Sequence, residues 1–146
     1  MIDYIRKFMD GTFVVCLNHE PFVFNMPIER YLNALALNRL STYQASVKAA
    51  RKYLKIKHKV PIYLGSELIL LQLKGIRAEN TFLVNRTNIL DFTKFNDHEV
   101  LIRFKSGHII RHTGYLPFLR QWRLSSMLEN HLAETKDKKK MFTSIK

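Results

Sequence analysis

Four cations in the stretch YQASVKAARKYLK, residues 43–55, stand at a spacing that makes one surface. Lys48, Arg51, Lys52 and Lys55 recur at i, i+3, i+4 and i+7, the repeat of a single helix flank. Tyr43, Val47, Ala50 and Leu54 occupy the adjacent stripe and read as the side turned to a core, with Ser41 or Thr42 as the helix cap. Like charges at this spacing oppose helix formation by about 0.2–0.5 kcal/mol per pair. The chemistry open to such a flank is the binding of phosphate. Lys57 and Lys59 continue the charge and share a side with Lys55 if residues 55–59 are extended. A merely solvated basic face is the plainer reading of a charged helix.

The distribution of acids weighs against the plainer reading. The chain carries 24 Lys and Arg against 12 Asp and Glu, a net charge of +12 over 146 residues. A net charge of about 2–8 is enough for the solubility of a small domain. No acid falls between Glu29 and Glu67, where eight Lys and Arg stand, and none between Glu99 and Glu129, where five more stand with His108 and His112. Long acid-free windows point to a one-signed surface, the electrostatic footprint of a nucleic-acid binder. An anionic membrane surface competes for the same charge.

Positioning such a surface requires a folded body, and the composition supplies one. A hydrophobic share of 47% is ordinary for a folded chain. A chain of this length buries roughly 68–70% of its unfolded surface, and one domain over residues 1–134 is expected. The N-terminus, MIDYIRKFMDGTF, carries Asp3, Arg6, Lys7 and Asp10 and has no apolar core of a signal peptide. The densest apolar run, LILLQL at 68–73, is far shorter than a membrane helix. The single cysteine, Cys16, excludes an internal disulfide, fits a reducing cytoplasm and reads as a core side chain of a buried strand.

The pattern of elements is α+β: an antiparallel β-rich domain with two helices before a C-terminal β-meander and a terminal helix. FVVCL and PFVFN read as strands around an Asn-His-Glu turn. NMPIERYLNALALNRL reads as a helix capped by Asn25, with Ile28, Tyr31, Leu32 and Leu35 on one stripe. IYL and ELILLQL read as strands, although residues 67–73 also suit a buried helical turn. TFLVN, NILDFTKF, EVLIRF and HIIRH are four β-type segments with short connections, K-S-G-H being a hairpin turn. In EVLIRF, Val100, Ile102 and Phe104 point inward and Leu101 and Arg103 outward, so that Arg103, Lys105 and Arg111 reach the open side of the meander. The last helix is expected from about Leu116 to Ala133, with a bend near Ser125-Ser126. The basic end, residues 135–146, reads as a disordered tail.

Enzymatic signatures are missing from the sequence. It has no Gly-rich phosphate loop, no H-E-x-x-H and no C-x-x-C string. His108 and His112 lack a third metal ligand, and Asp91, Asp97 and Glu99 cluster where a hairpin connection explains them. His19, His58, His98 and His131 read as solvated. No catalytic activity, cofactor, metal or small-molecule substrate is expected.

The stretch LSTYQASVKAARKYLKIKHKVPIYL resembles the competence transcription factor family, ComK. The likeness is carried by Ser41 and Tyr43, by Lys55, Ile56, His58, Lys59, Pro61 and Ile62, by Phe82-Leu83, and by the meander DFTKFNDHEVLIRFKSGHIIRH. It runs in order over roughly residues 12–132. Where the family shows a Gly-Arg pair after its S-x-Y element, this chain has Ala45-Ser46; Lys48 and Arg51 stand half to one turn later with the charge. A shorter likeness, RAENTFLVNRTNILDF, is similar to the F-x-V-N-x-x-x-I segment of LytTR-type DNA-binding domains.

The first resemblance implies a bacterial, cytoplasmic, nucleoid-associated activator of competence. It would bind AT-rich double-stranded boxes partly through the minor groove, as a homodimer or higher oligomer on paired sites. A narrow A·T minor groove attracts Arg and Lys with little need for base-edge bonds. The DNA-binding set expected from the sequence is Lys48, Arg51, Lys52, Lys55, Lys57 and Lys59, joined by Arg103 and Arg111 if the open face of the meander lies on the same side. Two other readings are an RNA- or ribosome-associated basic protein, and a paralogue acting by contact with a full-length regulator.

Overall fold

Alternation in one strand sets the architecture. In Ile69–Lys74, Leu70 and Leu71 are both fully buried although their side chains leave opposite faces of the backbone. A strand buried on both sides needs a layer above and a layer below. The computed structural model, which describes the main chain of residues 1–144 and side chains through residue 133, supplies both.

The central layer is an antiparallel six-stranded sheet in the order β3-β2-β1-β6-β5-β4. Its strands are β1 (Ile2–Lys7), β2 (Phe13–Leu17), β3 (Glu20–Phe24), β4 (Ile62–Tyr63), β5 (Ile69–Lys74) and β6 (Phe82–Asn85). Two helices, α1 (Ile28–Ala36) and α2 (Tyr43–Leu54), cover one face. Their buried residues Ile28, Leu32, Val47, Ala50 and Leu54 join Ile5, Leu70 and Leu83 of the sheet in one core. On the other face lies a three-stranded meander of β7 (Ile89–Lys94), β8 (Glu99–Phe104) and β9 (Ile109–Thr113). Its Val100, Ile102 and Phe104 meet Leu71, Phe82 and Val84 in a second core. The fold is thus α+β, with two helices before the meander and a terminal helix, α3 (Tyr115–Ser144), after it.

Helix α3 lies across the open end of both cores. Phe118 and Trp122 belong to the second core, while Leu124 and Leu128 belong to the first. That double duty is why its apolar positions drift along the sequence instead of keeping one stripe. It is assigned as one helix through Ser125-Ser126, where the expected bend would fall. Both hydroxyls donate to the Trp122 carbonyl, at 2.7 and 3.1 Å. The expected disordered tail over 135–146 falls on residues whose side chains lie outside those described.

Several local expectations hold for visible physical reasons. Thr42 caps α2, its hydroxyl accepting from the Ala45 N–H at 3.1 Å. The strands β2 and β3 turn through Asn18 and His19, both at positive φ, the twist a tight hairpin requires. In that register Pro21 sits opposite Cys16. Its missing N–H therefore faces the open edge of the sheet, which blunts the edge against pairing.

Other expectations are corrected. Asn25 does not cap α1; Pro27 occupies the cap position with no side-chain bond. Residues Ile2–Lys7, to which the sequence reading assigns no element, form β1 in the middle of the large sheet. TFLVN leaves the meander: β6 pairs with β1 and β5, because Leu83 and the pair Phe82 and Val84 are needed in two different cores. Residues 55–59 are not an extended strand. Lys55 ends α2 in the left-handed conformation, at φ 57, and a bend follows at Lys57-His58.

Candidate nucleic-acid interface

The sequence-derived cations fall into two groups on opposite outer layers. Lys48, Arg51 and Lys52 stand exposed on α2, and Lys55, Lys57 and Lys59 stand exposed on the segment that follows it. Arg103 and Arg111 stand on the solvent side of the meander, beyond the second core. The condition for Arg103 and Arg111 to join the α2 set, an open face on the same side, is not met. Val100, Ile102 and Phe104 must face the sheet, so the alternate residues of β8 face away from it and from α2.

The two groups also differ in charge balance. Arg103 pairs with Asp91, its Nε donating at 2.7 Å. Arg111 donates to Glu99 at 2.9 Å and lies over the Phe95 ring. Lys94 lies 3.7 Å from Asp97. Cross-strand register supplies the first pair directly, since Asp91 stands opposite Arg103. These pairs offset most of the charge on the open face of the meander; Lys105 is its cation without a carboxylate among the described residues. Among the described residues, no carboxylate pairs with Lys48, Arg51, Lys52, Lys55, Lys57 or Lys59.

Part of the α2 charge has a structural use. Arg51 and Lys52 lie in the last turn, where cations complement the helix dipole by about 0.3–1 kcal/mol each. Arg51 also donates to the His58 carbonyl at 3.3 Å and draws the following segment back onto the helix. Lys48 and Lys57 have no such use.

The segment after α2 is pinned by an amide network. Strand β4 covers only Leu70 and Ile69 of β5, so the Gln72 N–H has no strand partner on that side. The Gln121 side chain of α3 accepts that N–H at 3.0 Å and donates to the Lys59 carbonyl at 3.1 Å. The Gln72 side chain in turn donates to the Val60 carbonyl at 2.7 Å. Both glutamines are almost fully buried. The stem of Lys59 lies over Gly75, where a Cβ would meet its Cδ at 3.4 Å. Its ammonium lies 3.5 Å from the Leu73 carbonyl.

This arrangement gathers cations that the sequence reading did not include. Burial lowers the Lys59 pKa, and the charges of Lys74 and Arg120 lower it further. Lys74 and Arg6 flank His112, whose pKa is pushed down to about 4 by burial and then by Arg6 and Lys74. Arg6 and Lys74 both stand opposite Phe82 in the register, and Arg6 lies over the Phe82 ring at 4.8 Å. A basic belt is traced by neighbours: Arg51 bonds the His58 carbonyl, His58, Lys59 and Arg120 line one recess, Lys74 acts on Lys59, and Lys74 and Arg6 act on His112. Arg6, Lys74 and Arg120 come from β1, β5 and α3, and no spacing in the sequence links them.

The remaining chemical candidates resolve as structural. The Cys16 thiol is buried and donates to Asp3 at 3.7 Å, and burial pushes its pKa up. His108 and His112 do not form a pair: His108 Nδ1 lies 2.7 Å from His19 Nδ1, while His112 packs edge-on against Phe82. His131 stacks on Tyr53, so neither His19 nor His131 is simply solvated. Among the described residues, no cluster of three metal-ligating side chains occurs and no helix is long and apolar enough to cross a membrane. Asn85, the Asn of the F-x-V-N string, is fully buried and bonded to Ile2, Glu67, Ile69 and Thr87. No family model matches the chain, and no curated protein or solved structure matches it either.

Proposed function

We propose that this protein is a double-stranded DNA-binding transcriptional regulator of the competence type that meets phosphate groups along the basic belt. The observation that carries the reading is the contrast in charge pairing. Lys94, Arg103 and Arg111 of the meander each have a carboxylate partner, whereas the belt cations have none among the described residues. Cations held together without counter-charge repel one another, and a polyanion relieves that repulsion by releasing its own counterions.

The choice of duplex over single-stranded RNA rests on two supports. The similarity to the competence regulators implies AT-rich duplex boxes and minor-groove contact. Single-strand recognition uses aromatic side chains exposed on a sheet face for stacking. Here Tyr4, Phe13, Phe82 and Phe104 of the sheets are taken up in the two cores, while Phe22 on the edge strand β3 is exposed. Under this reading the protein acts in the bacterial cytoplasm, as a homodimer or higher oligomer on paired sites, and Arg103 and Arg111 take no part in the DNA contact.

The test is a salt-dependent titration of labelled AT-rich duplex, with GC-rich duplex and single-stranded RNA as competitors. If about six phosphates are neutralised, log K falls against log salt with a slope near −5. A flat salt response, or equal competition by RNA, refutes the reading.

A further inference from the structure

We infer that the recess between the segment after α2 and the first turns of α3 is a discrete pocket for a single phosphate group. Within the belt it fixes one backbone phosphate of the bound duplex. The identity of the duplex as owner of that phosphate rests on the function proposed above; the pocket itself stands on geometry.

The recess has a volume of about 380 Å³ and is lined by His58, Lys59, Leu116, Pro117, Arg120 and Gln121. Three of these side chains carry N–H donors that suit phosphate oxygens: the Lys59 ammonium, the Arg120 guanidinium and the His58 imidazole. Lys74 adds charge close by, since it and Arg120 both act on Lys59. Leu116, Pro117, Arg120 and Gln121 line it from the first turns of α3, near the positive end of the helix dipole. No carboxylate lines the recess.

What separates this recess from the rest of the belt is that its cation is held in advance. A lysine on an open helix face samples many rotamers and loses that freedom on binding. Lys59 has its carbonyl fixed by Gln121, its stem laid over Gly75 and its ammonium near the Leu73 carbonyl. The fold keeps three cations close together against their repulsion, with no acid among the lining residues to relieve it. An anion of phosphate size satisfies donors that line one recess. Lys48, Lys52 and Lys57, exposed like Lys59, have no such side-chain contact among the described residues and act as diffuse counter-charge.

The experiment has two arms and a control, sedimentation of the wild type and Arg120→Ala with phosphatidylglycerol vesicles. In the first, inorganic phosphate is titrated into the full-length protein while the side-chain amide signals of Gln121 and the ring signals of His58 are followed by NMR. The expected result is a saturable shift in the wild type that is lost in Arg120→Ala and in Lys59→Met. In the second, the salt slope of duplex binding is measured for Arg120→Ala and for Arg123→Ala. The latter removes the same charge from the same helix at an exposed residue outside the recess. Arg120→Ala lowers the slope by about one, the loss of one phosphate contact, and Arg123→Ala leaves it unchanged.

Absence of a saturable phosphate shift in the wild type overturns the pocket, even if duplex binding is intact. Equal slopes for the two arginine variants overturn the assignment to a DNA phosphate. So does an Arg120→Ala defect seen only in sedimentation with phosphatidylglycerol vesicles. A retained phosphate shift with no duplex binding by any of the proteins removes the DNA function and keeps the pocket.

Discussion

The Gln121 side chain donates to the Lys59 carbonyl at 3.1 Å while accepting the Gln72 N–H at 3.0 Å. One buried amide thus ties the terminal helix, the large sheet and the basic segment after α2 to one another. Replacing it with an isosteric apolar residue leaves a donor and an acceptor unpaired. Gln121→Leu is expected to cost about 2–4 kcal/mol, on the penalty for unsatisfied buried groups. The drop in urea midpoint measures it. The same variant loosens Lys59, so its duplex affinity falls under conditions where the protein remains folded.

Charge reversal separates the two outer layers. Under the proposed function, the double variant Lys52→Glu, Lys55→Glu is expected to weaken duplex binding by at least about tenfold at moderate salt, since it removes two exposed cations of the basic surface and adds repulsion. Arg103→Glu with Asp91→Arg inverts an existing pair on the meander. It is expected to leave binding within about twofold, because the net charge of that face does not change. Fluorescence anisotropy at fixed salt reads both. Unchanged binding in the first variant favours action through protein contact instead.

His112 gives the stability a pH dependence whose sign follows from its environment. Burial, Arg6 and Lys74 hold its folded pKa near 4, below the ordinary value of 6.5. Between those values the unfolded chain takes up a proton that the folded chain refuses. Stability from this group is complete above about pH 6.5 and is lost as pH falls towards 4. Thermal melts across that window are expected to show the decline in the wild type. They are expected to show a shallower one in His112→Phe, which keeps a ring against Phe82 and removes the titration.

Asn85, the Asn of the F-x-V-N string, bonds to the protein's own backbone on both sides of its amide. Its amide donates to the Ile2 carbonyl at 2.8 Å and its oxygen accepts the Ile69 N–H at 3.2 Å. Asn85→Leu is expected to destabilise the fold by about 3 kcal/mol, from several groups left unpaired. Once corrected for the folded fraction, its duplex affinity is expected to match the wild type. Denaturant titration together with binding at low temperature tests both halves.

Arg86 holds α3 in place through a cluster of contacts. It donates to the Trp122 carbonyl at 2.9 Å, pairs with Glu129 at 2.9 Å and lies 4.1 Å over the Trp122 ring. Arg86→Ala is expected to cost about 1–3 kcal/mol, the range for losing charge-assisted hydrogen bonds. Faster amide exchange along α3 than along α2 marks the loss as local to that helix.

Local periodicity determined a good deal of this protein. The stripe of Val47, Ala50 and Leu54, the adjacent exposed cations of α2, the Thr42 cap and the inward set Val100, Ile102 and Phe104 are all read from neighbours within a few residues. Each depends on a repeat of 3.6 or 2, which is a property of the chain alone. The sequence also carried the excess of positive charge and its acid-free windows.

Tertiary structure decided which of those charges belong together. Whether Arg103 and Arg111 look the same way as α2 depends on which face of the large sheet the meander covers, and no local repeat encodes that. The register opposite Phe82 brings Arg6 and Lys74 near His112 from strands far apart in the chain, and the crossing of α3 carries Arg120 up to Lys59. Alternation says that a strand has two sides; only the packing of two separate cores on one sheet says what each side meets.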